Sequence, residues 1–310
     1  MNERVLIISP VRNEAAHIER VARSVAAQTR TPIAWIVVDD GSTDDTFARL
    51  RALEREIGFL EVHARPADTE PVVDRLARAA APRTFNDGLK LAGDVHFTHI
   101  MKLDGDIDLP PDYVERLLER FAEDPQLGMA CGNLIEPRGD RMALLPIPPT
   151  HVHGALKCYT RACWDAIGGV QERLGWDTID ETYARMRGFR TRNYMDIMAI
   201  HLRPHASADG TLRGRARHGQ CAYIAHFGPV WIALRSLKIA RSRPLGISGL
   251  AFFYGYVRAW ARRVEQVPDR EFRRFARREL RLRMLRAVTR APAAVAGRAT
   301  PLPRPAARAR

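Results

Sequence analysis

The chain has 310 residues, of which 46% are hydrophobic and 27% are charged, as is typical of globular proteins. The formal net charge is +13, and residues 258–310, with 16 Arg against 4 acidic residues, account for +12 of it. No nucleic-acid motif accompanies these arginines, so we expect no nucleic acid partner. Two interpretations of the basic end stay open: a solvated helix with a disordered end, or contact with an anionic membrane surface through residues 245–290.

The cysteines and the chain start predict a cytoplasmic protein. All four cysteines lie in apolar contexts without metal-ligand spacing, which predicts buried, reduced thiols. MNER runs directly into VLIIS without a signal peptide, and the longest apolar run, 245–257, is too short to span a bilayer. A peripheral position on the inner face of the cell membrane is a further expectation, and it depends on the basic C-terminal part.

Apolar runs and amphipathic stretches alternate along the first two hundred residues. The apolar runs predict strands at 5–9, 33–39, 59–64, 95–103, 126–135 and 189–201. The amphipathic stretches predict helices at 13–28, 43–57, 71–92, 111–123, 160–167 and 177–187. This alternation indicates an α/β fold, a doubly wound and mostly parallel sheet flanked by helices.

The remaining segments complete the predicted organisation. The Pro/Gly-rich stretch 136–150 predicts a long loop. From about residue 213 the pattern is helical, with Arg on one side. We therefore predict a globular domain over 1–210, a basic helical extension over 211–290 and a disordered tail over 291–310.

The stretch KLDGDIDLP (102–110) places three aspartates at alternate positions directly after a predicted strand. Carboxylates this close repel each other unless a positive charge lies between them. Carboxylate oxygens suit Mg²⁺ or Mn²⁺, which take the rest of their ligands from water and a substrate phosphate. Asp104 and Asp106 are therefore candidate ligands of a divalent cation, and Gly105 between them lets a ligand approach the backbone.

Two other interpretations compete for this stretch. Asp104, Asp106, Asp108, Asp112 and Glu115 occupy ligand positions of an EF-hand-like calcium loop. Leucine stands where that loop needs glycine, however, and a strand rather than a helix precedes it. The other alternative is an acidic turn that only caps the following helix.

Two further polar turns follow predicted strands. In DDGSTDDT (39–46), Asp39 and Asp40 can accept hydrogen bonds from a nucleobase or a ribose, although capping residues alone would also explain the pattern. In SPVRNE (9–14), Pro10 and Asn13 shape a turn. Because ligands bind outside the carboxyl ends of parallel strands, we expect these turns to meet at one edge of the sheet.

In this order and spacing, SPVRNE, VVDDGSTDDT, FNDGLKLAGD (85–94) and KLDGD resemble the family-2 glycosyltransferases of the GT-A fold, over roughly residues 4–205. The resemblance implies an inverting enzyme with a GT-A-like mixed sheet that uses a nucleotide-diphosphate sugar and a divalent cation, Mn²⁺ or Mg²⁺. Domain 1–210 would then be the transferase domain. The nucleotide-sugar-binding residues that the resemblance implies are Pro10, Asn13, Glu14, Asp39, Asp40, Asn86, Asp104 and Gly105, and Asp106, supported by Asp104, would hold the metal.

The resemblance also implies a catalytic base. Family members carry Glu-Asp about a dozen residues before a helix end of the form R-x-x-G-[YF]-[KR], and here that end is RMRGFR (185–190). Counting back places Asp177 at the aspartate, with Trp176 in place of the glutamate. Asp180 lies one helical turn further on and is the rival base.

Several assignments of the second half stay open. His201, at the end of an apolar strand, is either a third metal ligand or an ordinary hydrogen-bonded histidine. Trp164 and Trp176 are either core residues or an apolar face for a sugar ring. The chain lacks the Q-x-x-R-W sequence of processive synthases, so we expect addition of a single sugar.

The acceptor would be a hydroxyl of a lipid-linked or saccharide molecule, and a role in cell-envelope glycan or glycolipid synthesis is expected. Two alternatives are a non-catalytic domain that binds nucleotide or membrane, and a nucleotidyltransferase. A nucleotidyltransferase would normally carry a glycine-rich, basic phosphate loop after its first strand, and SPVRNE is not one.

Overall fold

The computed structural model of the chain describes residues 3–65, 74, 79–139, 141–145, 147–203 and 210–289. Within these ranges the strands are β1 (Val5–Val11), β2 (Ala34–Asp39), β3 (Leu60–Ala64), β4 (His99–Leu103), β5 (Ile107–Asp108), β6 (Leu127–Arg138), β7 (Arg141–Leu144), β8 (Leu156–Thr160) and β9 (Arg190–His201). The helices are α1 (Ile18–Ala26), α2 (Thr46–Glu54), α3 (Ala80–Leu91), α4 (Tyr113–Glu123), α5 (Arg161–Ile167), α6 (Trp176–Met186), α7 (Thr211–Ile224), α8 (Pro229–Ile239), α9 (Ile247–Ala261) and α10 (Arg270–Thr289).

The first four long strands form a parallel half-sheet in the order β3-β2-β1-β4. β1 and β2 are almost continuously apolar because helices cover both faces of such a sheet, and every residue of β2 is buried. Trp35 is fully buried, and its indole nitrogen donates to Ser9 Oγ at 2.9 Å. The carboxyl ends of β1, β2 and β4 therefore lie at one edge.

The second half of the sheet is mostly antiparallel. β8 lies between β4 and β6 and is antiparallel to both, β9 is parallel to β6, and β5 is antiparallel to β9. In the β4–β8 pair, Leu103 faces Leu156, so the segment before β8 lies beside the carboxyl end of β4. β8 thereby connects the acidic turn after β4 with the helices that follow.

The predicted α/β fold with a mixed sheet is confirmed, with corrections in detail. The predicted loop at 136–150 is wrong in its first part, because β6 continues to Arg138 and pairs with β7 as a hairpin. Strands β5 and β8 were not predicted. The predicted strand 95–103 starts only at His99, and the helix predicted from Asn13 starts at Ile18, because Asn13 has a positive φ of 54°.

Four helices follow the sheet. α10 packs on the main core through Phe272, whose ring lies 4.7 Å from that of Tyr183, and through an ion pair of 2.6 Å between Arg185 and Glu279. The part of the chain predicted to be helical from about residue 213 contains these four helices, with a break between the end of α9 at Ala261 and the start of α10 at Arg270. Over the described ranges, none of the helices combines the length and apolarity needed to cross a bilayer. The predicted tail 291–310 and most of 71–78 lie outside the described residues.

Candidate active site

The three acidic or polar turns predicted from the sequence meet at one sheet edge. Val11 at the end of β1 pairs with Asp39 at the end of β2, and β4, on the other side of β1, ends at Leu103. A Cβ atom on Gly105 would lie 2.9 Å from Val11 Cγ1 and 2.9 Å from Glu14 Cγ. Any larger residue at 105 would therefore have to displace the turn after β1.

Asp39 and Asp40 have different surroundings. Asp39 is buried, and its carboxylate accepts from the backbone N–H of Ser42 at 3.0 Å and from the Ser42 hydroxyl. Asp40 is half-buried and pairs with Arg65 at 3.1 Å, while Arg12 donates to its carbonyl oxygen at 2.7 Å. The turn is thus fixed by its own hydrogen bonds, and both carboxylates lie at its start.

The turn after β1 is tied to the turn after β2. Asn13 Oδ1 accepts from the backbone N–H of Thr43 at 2.8 Å, and the backbone N–H of Asn13 donates to Ser42 Oγ at 2.9 Å. The backbone N–H of Glu14 donates to Thr46 Oγ1 at 2.7 Å. Pro10 lies within β1 opposite Val38, so its missing N–H sits in the strand rather than in the turn itself.

Asn86 lies on α3 and bonds away from the aspartates. Its amide nitrogen donates to Val170 O at 3.0 Å and to Glu172 Oε1 at 3.1 Å. These contacts attach α3 to the loop between α5 and α6. The neighbouring Gly88 explains part of the predicted motif, because a Cβ there would lie 2.6 Å from Ile8 Cγ2 in β1.

Asp104 is paired with a buried lysine. Lys102, 2% exposed, donates to the Asp104 carboxylate and at 2.9 Å to the carbonyl oxygen of Gly154. Burial and the charge of Asp106 raise the pKa of Asp104 above its usual value, although Lys102 opposes them. One oxygen of Asp104 is thus engaged by the protein, and its side chain keeps partial access to solvent.

Asp106 is buried between two basic groups. Its Oδ2 lies 3.2 Å from His201 Nε2 and accepts from Arg203 Nε at 2.9 Å. Burial would raise the pKa of Asp106, but His201 and Arg203 outweigh burial and lower that pKa to about 2. Arg203 also contacts the buried Glu14, so its guanidinium joins the turns after β1 and β4.

Glu14 and His201 respond to the same cluster. Burial, followed by the charge of Asp106, raises the pKa of Glu14 to about 7, although Arg203 opposes this shift. Burial would lower the pKa of His201, but its bond to Asp106 and the nearby aspartates raise the pKa above its usual value. The surrounding charges therefore keep Asp106 ionised and allow Glu14 to be protonated near neutral pH.

These groups fit a divalent cation that shares its ligands with a substrate. The Oε2 atom of Glu14 is buried and has no hydrogen-bond partner among the described residues. Carboxylate oxygens and an imidazole nitrogen at Asp104, Asp106 and His201 are donors that Mn²⁺ and Mg²⁺ accept. Over the described ranges, no three His, Cys, Asp or Glu side chains are grouped to hold a metal unaided. Such a cation would therefore need oxygens from a diphosphate and water.

The two candidate bases lie in opposite environments. Asp177, in the first turn of α6, is half-buried. A Cβ atom on Gly154 would lie 3.6 Å from the Cβ atom of Asp177, so the two residues are neighbours. Asp180 is 2% exposed, and its carboxylate accepts from Lys157 at 3.0 Å and from the Tyr159 hydroxyl at 2.6 Å. Burial raises the pKa of Asp180 to about 6.

Asp180 belongs to a buried ionic network under α6. Lys157 in β8 is fully buried and lies 3.7 Å from Glu181 as well as 3.0 Å from Asp180. Burial would raise the pKa of Glu181, but His151 at 2.8 Å and Lys157 lower that pKa to about 2. The network fixes α6 against β8 and so sets the position of Asp177 at the start of the helix.

Trp176 joins this network to the turn after β4. Its ring lies 5.2 Å from Lys157 Nζ and 5.5 Å from Lys102 Nζ, within the range of cation–π attraction. Trp164 is by contrast buried against Phe85 and Tyr159, with ring centroids at 5.8 and 5.2 Å. Trp164 is therefore a core residue, while Trp176 is only half-buried beside Asp177.

The competing metal patterns separate in space. Asp108 pairs with Arg20 at 2.6 Å and Glu115 accepts from Thr29 at 2.8 Å, so the carboxylates of the calcium-loop alternative serve different partners.

Sequence reasoning missed three cations of the site, Lys102, Lys157 and Arg203. A signal existed for both lysines. Each interrupts an apolar strand, HIMKL and LKCYT, and a lysine at such a position needs a buried counter-charge. Arg203 lies two residues beyond the end of β9, outside any apolar run, so no comparable signal marks it.

Comparison with known proteins finds similarity to one family. Residues 6–144, less than half of the chain, match the model of glycosyl transferase family 2. The match contains Asp39, Asp104 and Asp106, whereas Asp177 and His201 lie beyond it. An uncharacterized protein of Mycobacterium tuberculosis is 32% identical over 128 residues, 41% of this chain, and the alignment covers about a third (34%) of that relative's length.

Solved structures show the same fold. The mannosyltransferase PcManGT of Pyrobaculum calidifontis, in complex with GDP-Man and Mn²⁺, superposes with a TM-score of 0.53 at 18% identity, covering 92% of this chain and 80% of its own. S. aureus TarS 1–349 in complex with UDP-GlcNAc gives 0.52 at 15% identity, covering 83% and 73%. The chain thus has a GT-A-like mixed sheet flanked by helices, as the resemblance implied.

Proposed function

We propose that this chain is an inverting, metal-dependent glycosyltransferase that moves a single sugar from a nucleotide-diphosphate sugar to an acceptor hydroxyl. The observation that carries the proposal is the placement of Asp39, Asp104 and Asp106 at the carboxyl ends of β2 and β4, the two parallel strands on either side of β1, with Asp177 beside the same edge. The comparisons support the donor class, because PcManGT and TarS are described with GDP-Man and UDP-GlcNAc.

The donor half of the site has three tasks. Asp39, Asp40 and the turn with Asn13 would bind the nucleoside, since they offer carboxylate and backbone groups at the end of β2. Asp106, with Asp104 and His201, would hold Mn²⁺ or Mg²⁺, which when bound neutralises charge on the leaving diphosphate. Arg203 carries a second positive charge into the same place, and Gly105 lets the turn after β4 pack closely against Val11 and Glu14.

Asp177 would act as the base. The acceptor hydroxyl must lose a proton as its oxygen attacks the anomeric carbon, and a carboxylate within hydrogen-bond reach can accept it. Asp177 is half-buried at the start of α6, whereas the carboxylate of Asp180 is saturated by Lys157 and Tyr159. We therefore assign proton transfer to Asp177 and a positioning role to Asp180, with Trp176 as an apolar face beside the acceptor.

The acceptor is proposed as a hydroxyl of a lipid-linked or saccharide molecule in cell-envelope glycan or glycolipid synthesis, reached from the cytoplasm. Single addition follows from the missing Q-x-x-R-W sequence, which processive synthases use.

The test is nucleotide release from UDP-, GDP- and dTDP-sugars, with and without Mn²⁺, by the full chain and by three variants. Asp106→Asn and Asp177→Asn should each lower the rate, the latter by about 10²–10⁴-fold. Asp108→Asn is the matched control, because Asp108 lies on the same turn and pairs with exposed Arg20. NMR of the product should show inversion at the anomeric carbon.

Asp180→Asn distinguishes the two bases. The amide oxygen that this substitution introduces can still accept the hydrogen bond from Tyr159, so part of the network is kept. Rates are compared per folded molecule, and we expect Asp180→Asn to keep most of the activity because Asp180 is not the proposed base. Loss of activity in Asp180→Asn together with a wild-type rate in Asp177→Asn would reverse the assignment. Wild-type rates in both Asp106→Asn and Asp177→Asn would refute the proposed function.

A further inference from the structure

Helices α8 and α9 form an antiparallel hairpin beyond the sheet. A Cβ on Gly249 near the start of α9 would lie 2.4 Å from the carbonyl oxygen of Ser236 near the end of α8. At the other end, the rings of Trp231 and Phe252 are 6.4 Å apart. The later α9 residue faces the earlier α8 residue, so the chain reverses between the two helices.

The outside of this hairpin is unusually apolar. Its exposed large hydrophobic residues, which we call the hairpin surface, are Val230, Leu234, Leu237, Leu245, Ile247, Leu250, Phe253, Tyr254, Val257 and Trp260. Leu245, Leu250 and Trp260 are 69%, 68% and 64% exposed. The members on each helix recur every three or four residues, so they form one stripe per helix. An exposed apolar patch of this extent marks a binding surface.

Glycines lie where α7 and α9 contact each other. A Cβ on Gly219 of α7 would lie 2.0 Å from the carbonyl oxygen of Phe252, and one on Gly255 of α9 would lie 1.8 Å from that of Ala216. The helices therefore approach backbone to backbone through glycines, while the larger apolar side chains face outward. This arrangement is typical of helices whose outer surface contacts lipid.

The charges around the hairpin surface have one sign. Residues 211–264 contain ten Arg or Lys and no Asp or Glu. Six of these cations lie on or next to the hairpin: Arg235, Lys238, Arg241, Arg243, Arg258 and Arg262. Among the described residues, no carboxylate forms an ion pair with any of the six. Apolar side chains flanked by unpaired cations are complementary to anionic headgroups above acyl chains.

The neighbouring helix α10 plays a different part. It is richer in arginine, but Phe272, Ala276 and Leu280 are buried. These apolar side chains therefore pack inside the protein, and the exposed hairpin surface belongs to α8, α9 and the segment between them.

We propose that the hairpin surface docks this protein on a membrane that contains anionic lipids, with α8 and α9 lying in the interface rather than crossing it. Phe253, Tyr254 and Trp260 would occupy the headgroup layer, and the cations would contact lipid phosphates. The proposal concerns binding alone, so it stands or falls separately from the transfer reaction.

Vesicle binding by the full chain tests this docking. We expect flotation with vesicles of phosphatidylcholine and phosphatidylglycerol, weaker flotation with phosphatidylcholine alone, and release at high salt. Leu237→Gln with Leu250→Gln should weaken binding about tenfold or more, because both leucines are exposed in the free protein and would be buried in the membrane on binding. Arg241→Gln with Arg243→Gln should weaken it about tenfold on anionic vesicles only.

Matched controls change the same residue types elsewhere. Leu91→Gln with Met142→Gln removes exposed apolar side chains outside the hairpin, and Arg49→Gln with Arg55→Gln removes exposed charges on and just after α2. Both control pairs should bind vesicles like the wild type. Circular dichroism and the oligomeric state are measured for every variant.

Trp260 provides a readout that does not depend on a destabilised variant. Brominated lipids should quench part of the wild-type tryptophan fluorescence, and Trp260→Phe should abolish that quenching. Equal binding by the leucine and arginine variants of the hairpin and by their controls would overturn the proposal. An absence of vesicle binding by the wild type would overturn it as well. If the leucine variant then also changed oligomeric state, a second copy of the chain would be what covers the hairpin surface.

Discussion

The indole ring of Trp176 lies over the buried ammonium group of Lys157, 5.2 Å from Nζ to the ring centroid. The same ring lies 5.5 Å from Lys102, the lysine that holds Asp104. One side chain thus connects the turn that we assign to the metal with the helix that carries the proposed base. At the position where the resemblance implies glutamate, this chain has an aromatic ring between two cations.

Replacing this ring should affect transfer more than folding. Trp176→Leu removes the attraction to both ammonium groups, worth about 2 kcal/mol for a desolvated pair, and frees Lys102 and Asp104 to move. We expect the rate of sugar transfer to fall about tenfold or more, whereas Trp176→Phe should keep most of it.

Trp231→Leu is the matched control for this change, because Trp231 also carries a cation on its ring, Arg235 at 5.8 Å, but lies in α8. Urea unfolding and donor turnover are measured on all three variants. A normal rate in Trp176→Leu, with stability lowered as in the control, would mean that the ring serves only packing.

Removing Arg203 should strengthen binding of the metal alone. Its guanidinium lies 2.8 Å from Asp106, so it repels any divalent cation that approaches that carboxylate. We expect Arg203→Gln to bind Mn²⁺ on the order of tenfold more tightly without nucleotide, and to bind the nucleotide sugar less tightly because a phosphate-binding cation is gone.

Manganese titration by electron paramagnetic resonance measures this effect directly. Arg203→Lys should behave like the wild type, and Arg20→Gln is the control, since Arg20 pairs with Asp108 on the outside of the same turn. If Arg203→Gln bound manganese no better than the wild type, Arg203 would not compete for Asp106.

The sheet edge was predictable because its signal is local. Asp39 and Asp104 each follow an apolar run directly, and the carboxyl ends of parallel strands meet. β8 was missed because Lys157 stands inside LKCYT and breaks the apolar pattern, while its partners Asp180 and Glu181 lie more than twenty residues further along the chain.

The choice between the two bases shows the limit of spacing. Asp177 and Asp180 lie one turn apart on α6, so their separation in the sequence gives both the same face. Burial distinguishes them, and burial depends on β8, which supplies Lys157 and Tyr159 to Asp180. The hairpin β6–β7 was missed for a different reason, because its Pro and Gly residues are as typical of a loop as of a two-stranded turn.

Lys157 should be essential for stability. Lys157→Met leaves the buried carboxylates of Asp180 and Glu181 without their shared cation, so we expect the free energy of unfolding to fall by about 3–5 kcal/mol. The double variant Lys157→Met with Asp180→Leu should recover much of this loss, because it removes Asp180, whose ion pair among the described residues is with Lys157, whereas Glu181 keeps His151.

Urea unfolding of these variants is compared with Lys90→Met. The ammonium of Lys90 is exposed and pairs with Asp87, so its loss should leave the free energy of unfolding nearly unchanged. A Lys157→Met protein as stable as the Lys90→Met control would show that the network contributes nothing to folding.

His99 should make the fold sensitive to acid. Its ring is buried in β4, 4.9 Å from the ring of Phe121, and burial lowers the pKa of His99 to about 4, with only Glu3 opposing the shift. In the unfolded chain that pKa returns to about 6.5. Below pH 6.5 the unfolded chain therefore binds a proton that the folded chain does not. The stabilisation is complete above that pH and is lost as the pH falls towards 4.

The difference between the wild type and His99→Phe isolates this effect from other titrations. Between about pH 7.5 and 5 the wild type should lose on the order of 2 kcal/mol more of its free energy of unfolding than His99→Phe does. His96→Phe, which replaces an exposed histidine of the preceding loop, should lose as much as the wild type. Parallel losses in the wild type and His99→Phe would mean that His99 accepts its proton in the folded protein, with a solvent path to β4 that burial alone does not predict.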